Sequence, residues 1–470
     1  MNSANKNLKR RTGGRFFFAL WAAKLSRALI RLSGRRGSCT PGVIAIKLCP
    51  DFLSRVGLPP KVICVTGTNG KTTTSNLLAK VFSDAGYTVT NNSAGSNIDA
   101  GVATALLADC TLSGKAKKQV AVLEVDERSS LRVYRHLTPD LLICNNIMRD
   151  SLKRNAHTDF ICYILNEALP ASTKVVLNAD DFICSRLFPN NADRVYFGME
   201  ADAPAAEDSP LSARDVVYCP ECGTRLRSEY LRFEHIGRIY CPGCGLRSPE
   251  PAYSVVSIDR EKGRFTLRTP QGELSLRTVN ENPVNLYNCA GAAAVLLESG
   301  ISPEQLCRSF ETLEIVSSRY GFRRAGRLNI TNQLAKGQNP VACARAFSYV
   351  AKRPGNNKCL LVMIDDKGDN TNNSESVCWI YDTDFSALCD PSIGRIIFAG
   401  KRCRDQRLRA LTAGVDPSKI FICDDLFEGA AMIDTSEYTE IYVVNDPYIS
   451  DEAERIVGAL VRAGEEKGDE

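Results

Sequence analysis

Residues 61–74 read KVICVTGTNGKTTT: an apolar run, a loop with two glycines, then a lysine and three threonines. The residues that follow, 75–85, have helical character, so the order is strand, phosphate loop, helix. Such a loop turns its backbone N–H groups and the N-terminus of the next helix toward phosphate oxygens. Gly67, Thr68, Asn69, Gly70, Lys71, Thr72 and Thr73 are therefore the candidate nucleotide contacts. Lys71 is placed to reach the β- and γ-phosphates of ATP, and the Thr72 hydroxyl to sit on Mg²⁺. Lys71 would stand at the loop edge, so its loss should cost turnover and not the fold. The spacing is G-x-x-G-K-T, shorter than the common G-x-x-x-x-G-K-[ST]. A plain glycine turn is the alternative, but it needs no Lys-Thr pair after the second glycine.

At 470 residues the chain is too long for one domain, and two or three are expected. Strands expected at 88–90, 119–125, 141–144 and 174–177 alternate with helices, which implies a doubly wound parallel α/β sheet. Further strands near 358–364, 395–399, 419–423 and 440–444 give a second, smaller α/β domain. The strand at 119–125 ends in Glu124, Asp126 and Glu127. Ligands sit at strand ends in such sheets, so Glu124 is placed to hold Mg²⁺; solvation of a strand end is the plainer alternative.

The net charge is +5, but the first 36 residues hold ten Lys/Arg and no acid, so +5 less ten leaves −5 for the rest. A mildly acidic body argues against a general nucleic-acid binder. Residues 16–33 have a helical period, with Phe17, Leu20, Trp21, Leu25, Ala28, Leu29 and Leu32 on one face. Lys24 interrupts the run, which is too short for a transmembrane span and lacks a clear cleavage site for a signal peptide. Packing on the protein body and contact with an anionic membrane surface both remain open.

Nineteen cysteines without a secretory framework point to a reducing compartment and to metal ligation by some of them. Cys219 and Cys222 form one Cys-x-x-Cys knuckle, and Cys241 and Cys244 form another. Two knuckles at this separation read as a zinc ribbon. Four thiolates leave no open position on Zn²⁺, so the site reads as structural. A redox pair would need no second copy.

The GTNGKTTT form resembles the Mur ligase superfamily. The zinc-type cysteines and the stretch Trp379-Ile380-Tyr381-Asp382 narrow the resemblance to its MurT family. The resemblance implies a metal-binding role for Glu124, a nucleotide contact for Asn288 in an Asn-x-x-Asn segment, and another for Arg319 before the last domain. It also places residues 178–181 near the nucleotide, and gives an Asp before Trp379 a role in assisting a partner glutaminase. Asp369 is the candidate by position; a solvated polar loop is the alternative. Residues 151–157 and 365–378 depart from the family pattern.

The activity so implied is ATP-dependent amidation of the D-glutamate α-carboxylate of the membrane-borne precursor lipid II, through an acyl phosphate. Ammonia would come from a separate GatD-like glutaminase, and the chain shows no glutaminase signature of its own. The place of action would be the cytoplasm, at the inner face of the membrane. The domains expected are a basic N-terminal segment (1–50), a central ATP-binding domain (51–315) with the ribbon inserted at about 215–250, and a C-terminal domain (316–470). Two rival readings are a ligase that adds an amino acid and a nucleotide-binding regulatory subunit without catalysis.

Overall fold

A computed structural model describes residues 13–34, 37–92, 96–149, 157–202, 215–278, 282–313, 320–335, 339–364 and 377–466. The chain divides into two compact units, one of residues 1–148 and 158–314, the other of residues 149–157 and 315–470. The N-terminal helices α1 (Gly14–Leu32), α2 (Thr40–Leu48) and α3 (Phe52–Arg55) belong to the first unit. There Phe16 stacks on Phe52, with ring centroids 5.4 Å apart.

The first unit is built on a nine-stranded sheet. Its strands are β1 (Lys61–Thr66), β2 (Val89–Asn91), β3 (Val120–Glu124), β4 (Leu141–Cys144), β5 (Lys174–Asn178) and β6 (Arg194–Met199). After the short hairpin β7 (Arg227–Phe233) and β8 (Ile236–Tyr240), the sheet resumes with β9 (Tyr253–Asp259), β10 (Arg264–Thr269) and β11 (Gly272–Arg277). The spatial order is β11-β10-β9-β6-β5-β4-β1-β3-β2. Strands β1 to β6 and β9 run parallel, while β10 and β11 close one edge antiparallel. The central β1 is buried beyond Lys61, which is why it reads as an unbroken apolar run and not as an alternation.

Helices α4 (Lys71–Asp84), α5 (Asp99–Ala108), α6 (Ser130–Tyr134), α7 (Thr158–Ala168), α8 (Pro283–Glu298) and α9 (Pro303–Glu311) complete this unit. Helix α4 starts at Lys71, four residues before the expected start. Gly70 supplies the left-handed turn that opens it, and the β-branched threonines occupy its first turn. Strand order reverses around β1, with β3 on one side and β4 on the other, so the crevice at their carboxyl ends is the topological switch point.

The second unit has a six-stranded sheet of β12 (Tyr320–Ala325), β13 (Leu328–Leu334), β14 (Lys358–Met363), β15 (Ile393–Ala399), β16 (Ile420–Cys423) and β17 (Glu440–Asn445). Its order is β12-β13-β17-β14-β15-β16, and only the β12–β13 pair is antiparallel. Apolar cores cover both faces, under helices that include α10 (Pro340–Lys352) and, at the end, the Ser450–Glu466 helix. The expected α/β class holds for both units. Among the described residues no helix is long and apolar enough to cross a membrane.

Candidate active site

The loop between β1 and α4 is held by its glycines and by the segment that follows β4. Gly67 and Gly70 have φ of +118° and +84°, where side chains are strained. A Cβ on Gly70 would stand 2.1 Å from Asn288 Oδ1, and one on Gly67 would stand 2.9 Å from the Asn146 carbonyl oxygen. The Thr68 N–H donates to the Asn146 carbonyl (2.8 Å) and the Asn69 N–H to Asn146 Oδ1 (2.9 Å). Met148 N–H donates to Thr68 Oγ1 (2.9 Å), and Asn145 Nδ2 to Thr74 Oγ1 (2.9 Å). No side-chain oxygen caps the first turn of α4, so its N-terminal end suits an anion.

Charge at this end of the sheet is arranged around Lys71. Its Nζ donates to the Gly67 carbonyl and lies 3.1 Å from Glu127 Oε1. Burial raises the Glu127 carboxyl above the ordinary range, and Lys71 opposes that rise. Thr72 Oγ1 donates to Glu124 Oε2 (3.1 Å), and burial raises Glu124 likewise against Thr72 and Lys71. The backbone of Glu124 is clamped by one side chain: its N–H donates to Asn92 Oδ1 (2.7 Å) and its carbonyl accepts from Asn92 Nδ2 (2.9 Å). Glu124 Oε1 is buried without a hydrogen-bond partner. A buried carboxylate with one unmatched oxygen, beside a threonine hydroxyl at the anion-binding end of a helix, fits a hard divalent cation. Asn288 Oδ1 and Asn145 Oδ1 are likewise buried and unmatched.

The four knuckle cysteines converge. Their ligand atoms all lie within 4.8 Å of one another, with Cys219–Cys244 and Cys222–Cys241 sulfurs 3.5 and 3.4 Å apart. Zn–S bonds near 2.3 Å in a tetrahedron put sulfurs roughly 3.8 Å apart, so the set fits Zn²⁺. Each knuckle turns on a glycine: Gly223 N–H donates to the Cys219 carbonyl, and Gly245 N–H to the Cys241 carbonyl. Strands β7 and β8 join the two knuckles. Their turn places buried His235 with Nε2 3.2 Å from Oδ1 of the buried Asp181. Burial opposes charge on His235, yet Asp181 holds its pKa above the ordinary value. Asp181 Oδ2 in turn accepts the Ile147 N–H (2.7 Å), next to the Asn146 that holds the phosphate loop.

Lys71, Thr72, Glu124 and Asn288 thus lie around one loop, and the four cysteines around one centre. Thr73 is exposed on the first turn of α4. Arg319 and Asp369 lie outside the described residues, as do residues 336–338 and most of 151–157. Sequence reading assigned no role to Asn92, Asn145 or Asn146, and did not pair Lys71 with Glu127 or His235 with Asp181. The signal available was the clustering of Asn and Asp directly after strand ends.

A solved pseudomurein peptide ligase type C from Methanothermus fervidus superposes with a TM-score of 0.65 at 19% identity, covering 87% of this chain and 81% of that one. The family model described as Mur ligase middle domain matches residues 65–219. A Mur-type ligase is the class that this fold and this phosphate loop define. The model described as MurT ligase C-terminal matches residues 336–447. The MurT subunit of the glutamine-hydrolysing lipid II isoglutaminyl synthase of Staphylococcus aureus (strain COL) is 30% identical over 434 residues, 92% of this chain and 95% of its own. The corresponding Streptococcus pneumoniae subunit is 26% identical over 90% of this chain and 93% of its own. The chain belongs to the MurT family.

Proposed function

We propose that this chain is the ATP-dependent ligase subunit of a lipid II isoglutaminyl synthase, which amidates the α-carboxylate of D-glutamate in the stem peptide. The observation that carries this reading is the likeness to the S. aureus subunit over nearly its whole length. The loop Gly67–Thr73 takes the β- and γ-phosphates through the Lys71 ammonium and the backbone N–H groups of Gly70–Thr73, those of Thr68 and Asn69 being bonded to Asn146, and Asn288 and Arg319 add contacts to the nucleotide. Thr72 and Glu124 would hold Mg²⁺, which supplies positive charge to the phosphate oxygens when bound. A carboxylate oxygen of the substrate attacks the γ-phosphorus, and the bond to the leaving ADP breaks. Ammonia then attacks the acyl carbon, the C–O bond breaks, inorganic phosphate leaves, and the nitrogen sheds its extra proton. Lys71 contributes charge where it develops on the transferred group.

The ammonia is drawn from a GatD-like glutaminase subunit, with Asp369 assisting that partner. Zn²⁺ on Cys219, Cys222, Cys241 and Cys244 is structural. The complex works at the cytoplasmic face of the membrane, where its lipid-linked substrate is held. Mass spectrometry of lipid II after incubation with ATP and the chain tests the reading. Carboxylate should become amide with ammonium alone, and with glutamine only when the glutaminase is added. Asp369→Asn should lower glutamine-dependent activity far more than ammonium-dependent activity. ATP binding with no amide from either nitrogen source would identify a regulatory subunit instead.

A further inference from the structure

Helix α1 is apolar on two opposite faces. Phe16, Ala19, Leu20 and Ala23 are buried on the side that packs against α2 and α5. On the other side Phe18, Trp21, Leu25, Leu29 and Leu32 are 63, 54, 62, 58 and 84% exposed. At 3.6 residues per turn these five fall within roughly 80° of one another. Lys24, the charge inside this run, turns to the body: its Nζ donates to the carbonyls of Leu107 (2.6 Å) and Cys110 (2.8 Å). Trp21 Nε1 donates to the Leu112 carbonyl (2.9 Å), and Leu112 is itself exposed, so the patch continues onto that loop.

The rim of this patch is basic. Arg15 and Arg31 flank the stripe on the helix, Arg27 lies on the body side near Asp109, and Lys115, Lys117 and Lys118 follow Leu112. The first acid in the whole chain is Asp51, which is paired with Arg55; Asp109 accepts from Thr90. Residues 1–12 add Lys6, Lys9, Arg10 and Arg11. An exposed apolar stripe on a helix marks a contact surface, and one rimmed by cations with aromatic residues in it suits an anionic lipid interface. We propose that α1 docks this protein flat on an anionic bilayer through Phe18, Trp21, Leu25, Leu29 and Leu32. This deepens the proposed placement at the membrane face and needs nothing from the amidation itself.

The test uses the full chain and vesicles without lipid II, so its outcome is independent of the reaction. The chain should float with phosphatidylcholine vesicles that contain phosphatidylglycerol, and much less with phosphatidylcholine alone. Added salt should weaken binding, since each basic group near such a surface is worth roughly fivefold in affinity. Tryptophan fluorescence should shift to the blue on binding, and Trp21 is the reporter because Trp379, the other of the two tryptophans, is already buried. The double variant Leu25→Glu/Leu29→Glu alters exposed side chains only and should keep the wild-type melting curve. It should bind at least roughly tenfold more weakly. No flotation of wild type at low salt would overturn the proposal, as would equal flotation of the double variant. Self-association of wild type without lipid, abolished in the double variant, would assign the stripe to a second copy of the chain and also overturn it.

Discussion

Lys71 has two neighbours to satisfy, the proposed phosphate and the buried Glu127, with which it forms an ion pair at 3.1 Å. Sequence reasoning treats it as a loop-edge side chain whose loss spares the fold, and the pair changes that expectation. Lys71→Ala should lower amidation by roughly 10²–10³. It should also destabilise the protein at neutral pH by roughly 3–5 kcal/mol, because a buried carboxylate loses its cation. Glu127 already has a raised folded pKa. Such a group lends stability below its unfolded pKa and loses it as pH rises through the folded one. The deficit should therefore shrink toward pH 5, and Lys71→Ala/Glu127→Gln should recover stability at pH 7 without recovering activity. Denaturant titrations of both variants at the two pH values check this.

Glu124 poses the same conflict without a cation of its own, since one oxygen is unmatched and burial raises its pKa. Glu124→Gln should leave the nucleotide-free protein as stable at pH 7 or more so, by up to about 2 kcal/mol, while Mg²⁺-dependent turnover is lost. A variant that melts well below wild type would show that the carboxylate serves packing and not a cation.

Lysines also finish helices. Lys24 Nζ donates to carbonyls at the end of α5, Lys61 Nζ to the Ser299 carbonyl after α8, and Lys358 Nζ to the carbonyls of Val350, Ala351 and Arg353 at the end of α10. Each cation answers the unpaired carbonyls and negative end of a helix. Lys358 is buried, so it has no solvent to replace its partners. Lys358→Met should cost roughly 2–3 kcal/mol, read as a fall in denaturant midpoint with an unchanged slope. None of these caps was legible in the sequence, because the lysine and the helix end meet only after folding. Strands β1, β3, β4, β5 and β14 were legible because burial on both faces makes them unbroken apolar runs. Strands β12 and β13, YGFRRA and LNITNQL, mix polar and apolar residues at one sheet edge and carried no such signal.

At the scale of the molecule, the phosphate loop, Glu124 and the paired knuckles were visible because each is a short motif whose spacing carries its chemistry. The Asn146 splint, the Asn92 clamp and the His235–Asp181 contact were not, because they join segments between 32 and 77 residues apart and depend on sheet order. Freshly purified, reduced protein should contain about one Zn per chain; finding none would remove the ribbon's proposed metal. Removing that metal has a consequence beyond the ribbon. Asp181 is shared by the hairpin between the knuckles and by the segment that holds the phosphate loop. Chelation should therefore raise the dissociation constant of ADP, a loss that readded Zn²⁺ reverses. Linkage makes the effect mutual: saturating ADP should tighten zinc binding in competition with a chelator, and both ligands should change each other's affinity by one common factor. A cell short of zinc would then lose nucleotide affinity in its cell-wall ligase.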